Sequence, residues 1–287
     1  MKWFVKIRLT GLVFLCLLWS FAVSSSVHAV EPGAMAPELP SAVNLIISRN
    51  IRPYMEAAEA MRESLSASLE ADINVYELFR YKGKARQSLA TELKNNDPSS
   101  LYIAAGPEAA AFLWQDADPP GDGNLYSIVL NPQSVSPEIP VQCGISLNIP
   151  PADQLAAIVK SLPGARRIGI FYDPQYNEDF FVKAARAAYL QGVRVDPLQV
   201  SSKKDIPDVF AMSVRKLDAI WLIPDRTVIS ESIAQYIIKQ SLLQGVPVVG
   251  YNQFFYESGA AAAFVFDYAA LGRQTARMAI AFIQEGQ

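Results

Sequence analysis

The feature that most constrains this chain is a pattern in its second half, where short apolar runs, each closed by a polar or aromatic cluster, alternate with stretches of helical periodicity. Run 168–172 leads into Asp173 and Pro174, and 219–223 into Pro224, Asp225, Arg226 and Thr227. Run 246–250 leads into Tyr251, Asn252 and Gln253, and 261–266 into Asp267 and Tyr268. Such alternation implies βαβ units and a parallel sheet covered by helices on both faces. Ligands of these sheets bind beyond the carboxyl ends of the strands, where all four clusters would emerge. The pattern predicts a chain built to hold a small molecule.

The other end of the sequence predicts where the chain goes. Lys2, Lys6 and Arg8 precede an unbroken apolar stretch over 12–23, and Val27 and Ala29 put small residues where a signal peptidase reads. A secretory signal over 1–29 is expected, followed by a periplasmic location with no membrane insertion after cleavage. An uncleaved anchor is the alternative, but it would need about 20 apolar residues to cross a bilayer. Cys16 has no lipobox around it, which argues against a lipoprotein.

Cleavage would take 29 residues from 287 and leave 258, enough for one large domain or two lobes. It would also remove three basic residues and no acidic one, moving the formal charge from −3 to −6. A mildly acidic exported chain without a basic block argues against nucleic acid as a partner. The only histidine, His28, would be lost with Cys16, leaving Cys143 alone. No intrachain disulfide could form, and Ser-His-Asp, Cys-His and His-containing zinc sites are excluded. No spacing singles out a pair of carboxylates for acid–base work. There is no GxGxxG and no GxxxxGK[ST]. No cofactor, metal or catalytic residue is expected, and the chain is not expected to be an enzyme.

In the first half, apolar runs at 43–47, 73–79, 101–105 and 125–130 read as strands. Between them lie an amphipathic helix on Tyr54, Ala58, Met61, Leu65 and Leu69, a helix near 85–93 and an Ala-rich helix over 108–114. The Pro-rich passage 132–140 precedes a strand at 141–147 and marks a lobe boundary. The last helix, 268–283, sets Leu271, Thr275, Met278 and Phe282 on one face.

The stretches 167–174 (RIGIFYDP), 217–228 (LDAIWLIPDRTV), 246–250 (VPVVG) and 266–279 (FDYAALGRQTARMA) resemble ABC-transporter substrate-binding proteins of the type I periplasmic fold. The nearest group is the branch like the tryptophan- and tyrosine-binding proteins. The resemblance implies an α/β fold of two Rossmann-like lobes with parallel sheets, joined by a hinge and closing on a ligand. The division expected is 41–145 plus 268–287 for the N-terminal lobe and 146–267 for the C-terminal lobe. Family members usually continue beyond the last helix and cross the hinge a third time, whereas this sequence ends at Gln287, so two crossings are expected. Ala105, Gly106 and Pro107 stand where the family places Gly-Thr-Pro.

Each candidate ligand contact has a structural alternative. Asp225 and Thr227 could hold an ammonium and a carboxylate, or could cap the helix of Ile229, Ile233 and Ile237. Asp173 could meet a ligand along with Tyr176 and Asn177, or serve as a turn residue. Tyr251 and Phe254 could cover a planar or apolar ligand, or could pack inward as Phe255 is expected to do. Asp267 could cap the last helix or reach the cleft. In the first lobe Arg49, Asn50 and Tyr54 follow the first strand and Glu108 opens a helix; Arg49 suits a carboxylate. Cys143 reads as a small buried residue.

These readings converge on a periplasmic component that delivers a small organic solute, such as an aromatic or branched amino acid, to an ABC permease. A ligand sensor or protein-interaction module on the same fold is the alternative.

Overall fold

The computed structural model describes residues 40–120, 124–135, 143–228 and 230–285. The expected signal segment 1–29, most of the Pro-rich passage and Ile229 lie outside the described residues. The chain forms two α/β units, one of residues up to Asn148 together with Asp267 onward, the other of Ile149–Phe266.

The first unit holds β1 (Ala42–Ile47), α1 (Arg52–Ser66), β2 (Asp72–Glu77), α2 (Lys84–Lys94), β3 (Leu101–Ala105), α3 (Pro107–Ala111), β4 (Asn124–Val129), α4 (Pro132–Val135) and β5 (Cys143–Ser146). The second holds α5 (Pro151–Ser161), β6 (Arg167–Tyr172), α6 (Pro174–Leu190), β7 (Arg194–Gln199), α7 (Ile206–Ser213), β8 (Ala219–Leu222), α8 (Glu231–Leu243), β9 (Val248–Gly250), α9 (Gln253–Glu257) and β10 (Ala262–Ala263). The final helix, α10 (Tyr268–Glu285), returns to the first unit.

Both sheets are parallel throughout and share one strand order. The first runs β2-β1-β3-β4-β5, the second β7-β6-β8-β9-β10, each a 2-1-3-4-5 arrangement. Sheets of this order change direction between their first and third strands, which opens a crevice at the carboxyl ends. The crevices are therefore fixed at β1/β3 and at β6/β8.

Because helices cover both faces, the strands are apolar at nearly every position. In β6, Ile168, Ile170 and Tyr172 pack beneath α5 and α6 with Trp221, while Phe171 faces α7 and α8 with Ile220, Leu222 and Ile237. The indole N–H of Trp221 donates to Gln154 Oε1 at 3.2 Å, giving that large buried ring its polar partner. In the first unit Val43, Leu45 and Ile47 meet Ala57, Met61, Ala276 and Ala279 of α1 and α10, while Ile46, Tyr102 and Ala104 meet Leu89, Leu93 and Phe112. Gly272 makes the α1–α10 contact possible, since a Cβ there would lie 2.2 Å from the Ala57 carbonyl oxygen.

Several elements differ from expectation. The last strand of the second sheet is two residues long instead of six. Pro197, which cannot donate to a ladder, sits inside β7, a position an edge strand tolerates. The helix expected over 108–114 gives way after Ala111 to a wide π-type turn, Phe112–Ala117. The register of β4 against β5 shifts between Ser127 and Val129, and the bulged residue, Ile128, has φ 51°, a strained value for a β-branched side chain. Cys143 is exposed, not buried, because it opens the edge strand β5.

Candidate functional site

The crevice between β6 and β8 is framed by two buried carboxylates. Asp173 follows β6 and caps α6, its Oδ1 accepting from the Gln175 amide at 3.0 Å, with Pro174 in the first helical turn. Asp225 follows β8 and is wholly buried. Its Oδ1 accepts from the amides of Thr227 (2.9 Å) and Val228 (3.1 Å), and its Oδ2 from the amide of Asp173 (2.9 Å) and Nδ2 of Asn177 (2.8 Å). The Thr227 hydroxyl closes the network by donating to Asp173 Oδ2 at 2.6 Å.

This arrangement revises two expectations. Neither Asp225 nor Thr227 caps α8; Ser230 does, accepting from the Ile233 amide at 3.4 Å. The four donors on Asp225 come from within the unit, so its carboxylate is the strut that ties the β6 and β8 loops together. A buried charge of this kind is stable only when so fully hydrogen-bonded. Asn177 distorts locally to take part, with φ −132° and ψ 20° interrupting α6 after its first turn.

Around this frame stand the aromatic candidates. Tyr176 is 47% exposed. The guanidinium carbon of Arg226 lies 5.3 Å from the centre of its ring. Tyr251, at the end of β9, is half-buried; burial, and after it the Asp225 charge, pushes its hydroxyl pKa well above the ordinary tyrosine value. Its ring tilts against Phe255 at 4.4 Å, and Phe254 meets Phe255 edge-on at 5.6 Å. Both therefore border the core cluster around the buried Phe255. Asp173, Tyr176, Asn177, Asp225, Thr227 and Tyr251 thus converge on the ends of three adjacent strands.

The other unit gathers a second group at its β1/β3 crevice. Arg49, past the end of β1, forms an ion pair with Glu108 in the first turn of α3. Tyr54 lies close by, its hydroxyl pushed up to about 12, first by burial and then by the Glu108 charge. Glu108 Oε2 is buried without a hydrogen-bond partner among the described residues. Gly106, with φ 92°, lets this loop close down, since a Cβ there would fall 2.7 Å from Ser48 Oγ and 2.8 Å from Tyr54 Cζ. Asn50 is exposed. Asp267 caps α10, its Oδ1 accepting from the Ala270 amide at 2.9 Å.

Sequence reasoning assigns no ligand contact to Arg226 or Glu108. The signal for Arg226 is its place in the cluster after β8; the signal for Glu108 is its place after β3, within reach of an arginine at the neighbouring strand end. At the opposite, amino ends of the second sheet an open depression of about 770 Å³ is lined by Pro163, Arg215, Asp218, Gln244 and Pro247, and it includes none of the candidate residues. Among the described residues no group of three or more His, Cys, Asp or Glu could hold a metal, and no helix is long and apolar enough to cross a membrane.

Known proteins resolve what this frame belongs to. No curated protein matches the chain. Among the solved structures it is similar to are three with 86% of this chain and 86% of their own covered. They are a ligand-free, open substrate-binding protein with adhesive properties from Clostridium difficile (18% identity, TM-score 0.68), an ABC domain in complex with L-Trp from Streptococcus pneumoniae (18%, 0.56) and a conserved domain protein from Vibrio cholerae (20%, 0.55). At such identities they establish the type I periplasmic-binding fold. The family model for ABC transporter substrate binding protein matches residues 135–287, more than half of the sequence. The chain therefore belongs to the ABC transporter substrate-binding protein family.

Proposed function

We propose that this protein is the periplasmic component of an ABC uptake system and binds a small organic solute, of the class of aromatic or branched amino acids, for delivery to an inner-membrane permease. One observation supports the reading: Asp173, Tyr176, Asn177 and Thr227, chosen from sequence for their positions after strands, stand after β6 and β8 where Asp225 ties the two strand ends together, with Tyr251 following the neighbouring β9. Preformed loops suit reversible binding, because little ordering remains to be done when the solute arrives. Arg49, Asn50, Tyr54 and Asp267 are the contacts proposed from the first unit, and Asp173, Tyr176, Asn177, Thr227, Tyr251 and Phe254 those from the second. Asp225 acts beneath them as a positioning residue. The apolar segment 12–23 is the export signal in this reading.

The experiment is a thermal-shift screen of the exported protein against amino acids, sugars and nucleosides. A solute at 100 times its Kd adds about 2.7 kcal/mol of stability. A folded protein, free of co-purified solute, whose melting temperature moves with none of them would remove the reading.

A further inference from the structure

We infer that Arg226 is the specificity-determining residue of the β6/β8 crevice, receiving the carboxylate of an organic acid while Tyr176 holds its guanidinium in place. The inference rests on the solute-binding reading and narrows it.

Arg226 occupies the loop between β8 and α8, on the carboxyl side of the sheet, and is exposed. The other described arginines of this unit stand elsewhere. Arg166 and Arg167 lie at the start of β6, Arg194 at the start of β7, Arg215 ahead of β8 and Arg186 near the end of α6. Arg167 and Arg194 are both taken up by Asp196, and Arg166 by the carbonyls of Pro163 and Ala165. Arg226 has no ion-pair partner among the described residues. The nearest carboxylates in sequence and network, Asp225 and Asp173, already accept six donors from amides, Asn177 and Thr227.

Tyr176 gives this cation a fixed place. Its ring comes from the first turn of α6, and the guanidinium lies over it at 5.3 Å, bridging the two loops that border the crevice. A guanidinium held over a ring face by cation–π attraction uses none of its N–H groups in an ion pair, and those groups match a carboxylate bidentately. The rest of the crevice offers the opposite of what a bare cation needs. Asp225 has all four of its acceptor positions taken and Asp173, buried, already accepts two donors, so the exposed charged donors on the β8 loop are those of Arg226. The geometry selects a solute with a carboxylate over its neutral analogue.

The test compares ligand pairs that differ only at the acid group, L-tryptophan with L-tryptophanamide and benzoate with benzamide, together with D-glucose and L-rhamnose. Calorimetry and thermal shift on the whole exported protein are the readouts, with Arg226→Gln and Arg226→Lys as variants. An acid that binds at least about 10-fold more tightly than its amide, a loss of about 10-fold or more in Arg226→Gln and partial recovery in Arg226→Lys, all with melting temperatures of the free proteins unchanged, are expected. Amides binding as well as acids, sugars alone binding, or an Arg226→Gln protein with undiminished affinity for the acid would overturn the assignment and leave solute binding standing. No response to any probe in the broad screen would overturn both.

Discussion

Asn177 donates from Nδ2 to Asp225 Oδ2 across 2.8 Å, joining positions 48 residues apart at the point where α6 breaks its helical geometry. The broken turn and the buried acid explain each other. A continuous helix would carry this amide elsewhere, and Asp225 would then lose one of its four donors.

Removing that acid is therefore expected to cost more than removing any one of its partners. Asp225→Ala leaves three backbone amides and an Asn without an acceptor, and a loss of about 3 kcal/mol or more is expected. Asp225→Asn keeps the shape but turns one acceptor into a donor and should cost less. Hydrogen exchange at the amides of Asp173, Thr227 and Val228 is the local measurement; unchanged protection in Asp225→Ala would mean the loops are held by other contacts.

Gly272 and Gly164 should respond oppositely to alanine. Helix propensity alone would favour alanine at Gly272 by about 1 kcal/mol. Its Cβ, however, would meet the Ala57 carbonyl, and overpacking costs about 1–3 kcal/mol. A methyl group added at Gly164 would have nothing within 4 Å, and the position needs no positive φ, so Gly164→Ala is expected to be neutral or slightly stabilising. Melting temperatures of the two variants decide the point.

The buried hydroxyls of Ser127 and Thr275, 2.7 Å apart, join β4 to α10. Thr275 also reaches the Leu271 carbonyl at 3.0 Å, so Ser127 is the donor between them. Thr275→Val strands the Ser127 hydroxyl and should cost about 1–3 kcal/mol, whereas Ser127→Ala leaves Thr275 bonded and should cost less. The double variant is expected to be milder than the two losses added. A double-mutant cycle in urea measures the coupling; strict additivity would contradict it.

Tyr54 carries an alkaline signature. Its folded hydroxyl titrates near 12 against an ordinary value of 10.0, so the folded state holds its proton where the unfolded chain gives it up. The stability it contributes is complete below pH 10 and is lost as pH rises towards 12. Tyr54→Phe should flatten the decline in stability across that window. Parallel alkaline melts of the two proteins supply the check.

Much of the fold is legible in the sequence because buried parallel strands write themselves as unbroken apolar runs. The clusters after β6, β8 and β9 stand out for the same reason, and they carry Asp173, Asp225, Thr227 and Tyr251. The partnerships of these residues are not visible there. That Asp225 gathers donors from positions as distant as Asp173 depends on the adjacency of β6 and β8, which spacing along the chain does not encode. Arg226 is inconspicuous in sequence because a surface arginine is commonplace until Tyr176 is seen beneath it. The bulge at Ile128 and the π-type turn after Ala111 are tertiary accommodations without a local signature. Cys143 defies its expected burial because edge position, not side-chain polarity, sets its exposure.

The seating of Gly272 against Ala57 has a consequence for how the polypeptide is made. A ribosome emits β1 to β5 first, yet Ala276, Ala279 and Ile283, which belong to the core against Val43, Leu45 and Met61, emerge only after every strand of both sheets. The stretch 149–266 has all of its own strands and helices by then. The middle of the chain has all its elements while its beginning still lacks the α10 side of its core, contributed by a helix more than two hundred residues away. A nascent chain stalled before Tyr268 would thus offer chaperones and proteases its oldest segment, not its newest.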